Sequence, residues 1–352
     1  MKLNEIGEKK LVRDLTSLYT PNPCLVGGFG HDSAILDIAL SSDEYLLMNT
    51  DRSGMNIAYK LGLADASCVG DFAVSHAVSD IYASGGRPVA ISIALLLPPT
   101  LSENTVKEIT IGADLAAKKY GAFIASGDTK HSDKFAMVVT VLGKAKRSNI
   151  LTRSGAKTGD YLVSVGNFGT MLSGLITIKK NLKISERDRF EFSKAICYQN
   201  PPYKFSELLF ECHLADACMD NSDGLAGTLY ALCEKSGVGV LLDESKIPMS
   251  DSVKNVAGML GVNPFQLCLG SGDWQHIYSV PKENLDKFVC LAKSVNQTVA
   301  VIGIFDDTKQ VNIKTDSGVY ELLCLENDRF GVGGTAWFDL LSSEICYLGT
   351  KR

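Results

Sequence analysis

The chain has 352 residues, 35 Lys+Arg against 40 Asp+Glu and 45% apolar side chains, the make-up of a soluble globular protein long enough for two domains. A formal net charge of −5 with no basic run gives no support to nucleic-acid binding as the main activity. The longest strongly apolar stretch, Val89–Pro99, is too short to cross a bilayer, so no membrane partner is expected.

In chain order, Leu3–Tyr19 carries Ile6, Leu11, Leu15 and Leu18 at helical spacing. Lacking an apolar signal core, it reads as an amphipathic helix of a cytoplasmic protein. Strands are expected at Ala34–Ala39 and Tyr45–Asn49, then a helix over Asp65–Ser84. Val89–Leu97 is apolar on both faces, as in a strand buried in a barrel or an interface. A helix over Ser102–Tyr120 and strands at Ala122–Ala125 and Phe135–Gly143 follow. The polar, basic stretch Lys144–Asn149 and then Arg153–Asp160 mark the boundary between a domain at 1–148 and another at 149–352. Beyond it come a strand at Tyr161–Val165 and helices over Gly169–Lys180, Glu186–Tyr198 and Asp223–Ser236. Strands at Val238–Leu242, Ile277–Val280 and Val299–Phe305, with a helix over Leu285–Val295, complete a mixed α/β (α+β) pattern. A faint echo links the halves: Ser79-Asp80 precedes Gly127-Asp128 by 48 residues, and Ser222-Asp223 precedes Gly272-Asp273 by 50.

The ten cysteines include no C-x-x-C pair and have no paired histidines nearby, so zinc and iron–sulfur sites are not favoured and reduced thiols are expected. Aspartate is the informative residue. It recurs beside Gly, Ser or Thr at element ends: Gly30-His31-Asp32, Thr50-Asp51, Ser79-Asp80, Gly127-Asp128-Thr129, Asp220-x-Ser222-Asp223-Gly224 and Gly272-Asp273. Any one of these reads equally as a helix cap or a turn. Six in one chain point further, because converging carboxylates repel unless cations are bound. Carboxylate oxygen is the preferred ligand of Mg²⁺, which usually brings phosphate with it. The common nucleotide signatures are missing: there is no G-x-x-x-x-G-K-[ST], and Gly27-Gly28-Phe29-Gly30 is not G-x-G-x-x-G.

The order of these motifs resembles the thiamine-monophosphate kinase family. Gly30-His31-Asp32-Ser33-Ala34, Asn49-Thr50-Asp51, Ser79 to Pro88, Ser126-Gly127-Asp128-Thr129 and Thr140-Val141-Leu142-Gly143 follow that family's GDDAA, TTD, SDLAAMG-x-x-P, GGDT and TVLG. Arg153 to Asp160, Asp220 to Leu225 and Ser236 to Gly239 follow its R-x-GA-x-x-GD, DISDGL and SGVG. The wider superfamily holds aminoimidazole ribonucleotide synthetase, selenophosphate synthetase and the hydrogenase-maturation dehydratase.

The resemblance implies a two-domain fold whose N-terminal strands form a barrel across a homodimer interface. It implies an enzyme that uses ATP and Mg²⁺ to phosphorylate a small acceptor, thiamine monophosphate or another metabolite. Asp32, Asp51, Asp80, Asp128, Asp220 and Asp223 would hold metal, with Thr50, Gly127 and Ser222 assisting at the nucleotide and Arg153 meeting phosphate. Asp51, Asp80, Asp128, Asp223 and Arg153 would carry the chemistry, and Asp273 and Trp274 would line the acceptor. Three departures stand out. His31 replaces the first acidic residue of GDDAA, Arg52-Ser53-Gly54 interrupts the stretch after TTD, and Gly270-Ser271-Gly272-Asp273-Trp274-Gln275-His276 replaces the GGEDYEL turn with its two glutamates. A Trp face there would stack on a flat ring, whereas two glutamates favour a cation. An ATP-dependent dehydratase or amide-activating enzyme of the same superfamily stays open, and His31 with the lost glutamates keeps open a non-catalytic nucleotide-binding protein.

Overall fold

Two β-sheets organise the chain. The computed structural model describes residues 13–14, 16–18, 22–38, 43–222, 224–270, 272–325 and 346–352. The helix expected over Leu3–Tyr19 lies largely outside them, as do Asp223 and Ser271.

The first sheet takes β1 (Leu25–Val26), β2 (Ala34–Leu36), β3 (Glu44–Ser53), β4 (Arg87–Leu97), β5 (Phe123–His131) and β6 (Ala136–Lys146), in the order β1-β2-β3-β6-β4-β5. Only β4 and β5 run parallel. The second takes β7 (Tyr161–Val165), β8 (Ala217–Asp220), β9 (Gly239–Asp243), β10 (His276–Val280), β11 (Val299–Asp306), β12 (Val311–Thr315), β13 (Gly318–Leu322) and β14 (Leu348–Lys351). Its order is β14-β13-β12-β9-β11-β7-β10-β8. Residues 30–316 thus alternate strand and helix in both halves, as the sequence pattern predicts.

Two strands outrun their sequence signal for the same reason. β3 continues to Ser53 because β6 pairs with it from Glu44↔Lys146 to Ser53↔Met137. β5 continues through the polar Ser126–Lys130 because β4 offers a partner as far as Leu97↔His131. Ladder hydrogen bonds override side-chain propensity there.

One face of the first sheet is covered by α1 (Ser67–Ala83) and α2 (Glu103–Lys119). Leu47, Ile91, Val139 and Val141 point into that core against Val74, Val78, Ile81 and Ile109. Alternation along the strands sends Met48, Thr50 and Leu142 to the opposite face. There Met48 is 40% and Leu142 38% exposed, a large apolar surface for a sheet interior. Within one copy the sheet is open, with β1 and β5 at its edges, so the six strands close no barrel by themselves.

The second half adds α3 (Thr170–Lys179), α4 (Glu186–Cys197), α5 (Tyr203–Leu209), α6 (Leu225–Ser236), α7 (Asp251–Leu260) and α8 (Leu285–Ser294). Its main core joins Leu162, Leu172, Leu229, Val240, Val256 and Ile277. The halves meet where α1 and the start of β4 touch α5. Arg87 pairs with Glu207 at 2.6 Å and Glu211 at 3.1 Å, and its guanidinium lies 4.1 Å from the Phe210 ring centre. Tyr82 donates to Glu207 at 3.0 Å beside them.

Small residues allow α1 and α2 to cross backbone to backbone. A Cβ on Gly70 would stand 1.9 Å from the Ile109 carbonyl oxygen, and one on Gly112 would stand 1.9 Å from that of Ser67. Gly112→Val must therefore prise the helices apart. We expect a loss of about 3 kcal/mol or more, seen as a clear drop in Tm by calorimetry, while Gly258→Ala, on the exposed face of a helix with nothing within 4 Å of the added Cβ, costs nothing.

Candidate active site

The joint between the two sheets gathers carboxylates from four elements. The loop before β2 turns through Gly27, Gly28 and Gly30, all at positive φ, and delivers Asp32. Asp51 stands on β3, Asp80 in the last turn of α1, and Asp220 ends β8, opposite His276 of β10. Asp32, Asp80 and Asp220 each bring a carboxylate oxygen within 4.8 Å of the others. Asp32 is 8% and Asp220 1% exposed, so this is a buried like-charge cluster. Burial first, then the neighbouring Asp220, Asp51 and Asp32, push the Asp80 carboxyl well above its ordinary range.

Every member of the cluster is held by a donor. Arg153, in the segment joining the sheets, grips Asp32 through two bonds, Nε to Oδ2 at 3.0 Å and Nη2 to Oδ1 at 2.9 Å. Burial works against its charge, but Asp32, Asp220 and Asp80 more than offset that and hold it above the usual guanidinium range. Ser79 donates to Asp220 Oδ2 at 3.0 Å and Ser222 to Oδ1 at 3.1 Å. The Asn49 amide reaches both Asp51 and Asp80 at 2.6 Å. Behind Ser79, His276 Nε2 lies 3.2 Å from the Ser79 hydroxyl and its Nδ1 3.2 Å from Tyr278 OH. Full burial lowers His276 to about 3, so it is a neutral hydrogen-bonding strut.

His31, in place of an acidic residue, joins the loop rather than the carboxylates. Its Nε2 faces the Gly27 carbonyl at 3.2 Å and its Nδ1 receives the Arg153 backbone N–H at 3.4 Å. Burial chiefly lowers its pKa. The ring clips the glycine loop to the chain that carries the Arg153 guanidinium.

Other residues singled out by their motifs lie elsewhere. Thr50 faces the open side of the first sheet and meets Thr140 at 3.0 Å, away from Asn49 and Asp51. Asp128 sits on the exposed edge strand β5, three strands from β3, with its carboxylate on the Thr129 N–H at 2.9 Å. Gly127 packs so closely on β4 that a Cβ would stand 2.3 Å from the Ile93 carbonyl oxygen.

The acceptor expectation for Asp273 and Trp274 meets a different geometry. Asp273 accepts the Gly169 and Met171 N–H groups at 2.6 and 2.8 Å, capping the start of α3. Trp274, at φ 53°, is only 5% exposed. Its indole N–H donates to Gln199 at 3.2 Å, and its rings lie 4.5 Å from His76 and 6.1 Å from Phe72. A turn expected to line an acceptor is folded inward, so its aromatic face is already taken by side chains of α1. Sequence reading overlooked Asn49 and the Ser79–His276 pair, although Asn49 and Ser79 lie within the motifs that named Asp51 and Asp80.

This geometry can hold a hard divalent cation. Three carboxylate oxygens within 4.8 Å offer an all-oxygen donor set, and the donors now satisfying them leave the cluster with excess negative charge. Comparison with known proteins supplies the family. Residues 30–145 match the family model for the AIR synthase related protein N-terminal domain, and residues 157–316 that for the C-terminal domain. The chain belongs to the AIR synthase related family. Within it, the chain is 31% identical over 233 residues to a thiamine-monophosphate kinase of Pyrococcus abyssi, spanning 66% of this chain and 71% of that protein. It is 28% identical over 318 residues to the thiamine-monophosphate kinase of Aquifex aeolicus, spanning 89% and 98%. Among solved structures, AaThiL complexed with AMPPCP and TMP superimposes with a TM-score of 0.76 at 25% identity, covering 89% of this chain and 95% of that one. The family's two-domain α/β architecture is the one described above.

The capping role of Asp273 has a pH signature. Burial pushes its carboxyl up to about 6, opposed by the Met171 and Gly169 amides. Between about pH 4 and 6 the folded chain therefore holds a proton that the unfolded chain has released, and stability falls as pH rises through that window. Asp273→Asn removes this slope. Urea unfolding from pH 4 to 7 should show the wild type losing up to about 3 kcal/mol relative to the variant. Parallel curves would exclude the assigned burial.

Proposed function

We propose that this chain transfers the γ-phosphoryl group of ATP to thiamine monophosphate, with Mg²⁺ held by Asp32, Asp80 and Asp220, and that it works as a homodimer in the cytoplasm. The single observation that carries the reading is the buried convergence of these three carboxylates beside Arg153. The names of the relatives supply the nucleotide and the acceptor, AMPPCP being a methylene analogue of ATP.

The chemistry suits the site. A phosphate acceptor is largely ionised at neutral pH, since its second ionisation lies near pH 6. Attack by its oxygen needs alignment and charge neutralisation rather than a general base. Mg²⁺, when bound, supplies that neutralisation at the phosphate oxygens. The chain's own part is to fix the carboxylates before substrate arrives. Ser79 and Ser222 orient Asp220, Asn49 orients Asp80 and Asp51, and the Gly27–Gly30 loop brings Asp32 in. Arg153 holds Asp32 in the free chain and is the cation available to a phosphate oxygen. Asp223 completes the motif carried by Asp220 and Ser222. With Trp274 buried, the turn at 272–276 gives no reason to assign a different acceptor.

The dimer reading draws on the open face of the first sheet, where Met48 and Leu142 stand exposed without an element of the described residues over them. In this reading residues 1–148 form the nucleotide, metal and dimerisation domain, a second copy closes the barrel, residues 149–352 pack beside it, and Asp128 with Gly127 serves the site of the other copy. Light scattering should then give about twice 37.9 kDa, and a monomer at micromolar concentration would count against it. Mixing Asp128→Asn with Asp80→Asn chains should restore about a quarter of wild-type activity, because half the dimers are mixed and each has one intact site.

The activity is tested by following ADP release with thiamine monophosphate as acceptor. Asp80→Asn should lower kcat at least about 100-fold with Tm within a few degrees of wild type. Turnover at the wild-type rate in that variant, or no phosphorylation of thiamine monophosphate by the wild type, would sink the assignment.

A further inference from the structure

Asn49 makes the most unusual contacts at the site. Its side-chain nitrogen lies 2.6 Å from Asp51 Oδ2, 2.6 Å from Asp80 Oδ2 and 3.2 Å from the Ala77 carbonyl oxygen. All three neighbours are acceptors, which fixes this atom as the NH₂ end of the amide. An NH₂ has two hydrogens, and the two short contacts take them.

The two carboxylates arrive from different elements, β3 and α1, and both aim an oxygen at one donor atom. That is the geometry of a bridging cation, with the amide standing in the middle. The substitution is unequal. Two charge-assisted hydrogen bonds orient the carboxylates but cancel no charge, whereas a divalent ion would do both. Asp32, Asp80 and Asp220 share no such side-chain amide, and there the charge still has to be met. Alternation along β3 turns Asn49 toward α1, where the Ala77 carbonyl oxygen stands 3.2 Å from the same nitrogen.

We propose that Asn49 is a positioning residue that staples Asp51 to Asp80 and occupies the seat of one bridging cation, so that divalent ions gather on the Asp32, Asp80 and Asp220 side. The inference rests on the phosphotransferase reading only for naming the ion as Mg²⁺. It predicts opposite results for two changes at one position. Asn49→Asp turns the staple into a further carboxylate and opens the seat. Asn49→Ala removes the staple without adding a ligand.

Mn²⁺ binding followed by electron paramagnetic resonance on the full chain, without nucleotide, reads both. Asn49→Asp should bind one more Mn²⁺ per chain than the wild type, and its Tm should rise with added Mg²⁺ by several degrees more. Asn49→Ala should bind the wild-type number about tenfold more weakly, the usual cost of losing a residue that orients metal ligands. Wild-type stoichiometry in Asn49→Asp overturns the proposal, as does wild-type affinity in Asn49→Ala. Should Asn49→Asp not fold without metal, refolding on addition of Mn²⁺ is the supporting result, and aggregation with and without it leaves the decision to the Asn49→Ala affinity. None of these readouts involves turnover, so a failure to phosphorylate thiamine monophosphate would not be mistaken for failure here.

Discussion

Three carboxylates within 4.8 Å of one another in a protein interior are the constraint around which the rest is arranged. Like charges at that separation repel strongly where the effective dielectric is low, and a buried charge without a partner costs several kcal/mol. The fold answers with donors from separate elements: Arg153 from the connecting segment, Ser79 from α1, Ser222 after β8 and Asn49 from β3. No single strand or helix supplies more than a fraction of the site. Its integrity therefore depends on the relative placement of the two sheets.

That placement is secured away from the chemistry. The Arg87 fork between Glu207 and Glu211, stacked on Phe210, joins the start of β4 to α5. Asp71, Lys119 and Asn200 form a second tie, with Lys119 3.1 Å from Asp71 and 2.7 Å from Asn200. Trp274 belongs to the same framework. By packing on His76 and Phe72 it presses the turn before β10 against α1, and His76 in turn lies 3.9 Å from Asp51. A change at this turn reaches the carboxylates through packing.

Much of this was legible in the residues, and the limits have physical causes. Asp32, Asp80 and Asp220 announce themselves because a carboxylate beside Gly or Ser at an element end is a recurring ligand pattern. Asn49 does not, since its role exists only once two carboxylates from other elements have met at its amide. The turn at 272–276 reads as an acceptor lining from its Trp, Gln and His, but Gly272, at φ 112°, and Trp274, in the left-handed region, fold it inward. β8 carries four residues, too short for alternation to show, and its place at the sheet edge comes from β10. The helix Asp251–Leu260 carries its own sequence signal in Ser250, whose hydroxyl accepts the Val253 N–H at 3.4 Å as its cap.

The charge arithmetic connects the departures in this chain. Among the described residues, Asp32, Asp51, Asp80 and Asp220 oppose the single guanidinium of Arg153, so the cluster is negative before any phosphate enters. An incoming nucleotide adds to that charge, and only cations can close the balance. His31 and Asn49 both moderate the demand. One puts a neutral ring, committed to Gly27 and to the Arg153 backbone, where an acidic residue would raise the charge. The other lets a neutral amide hold two carboxylates that would otherwise require an ion between them. A site built this way trades cation number for covalently supplied order. On the proposed reading it keeps its carboxylates aligned before metal arrives and leaves Mg²⁺ for the side of Asp32, Asp80 and Asp220, beside Arg153.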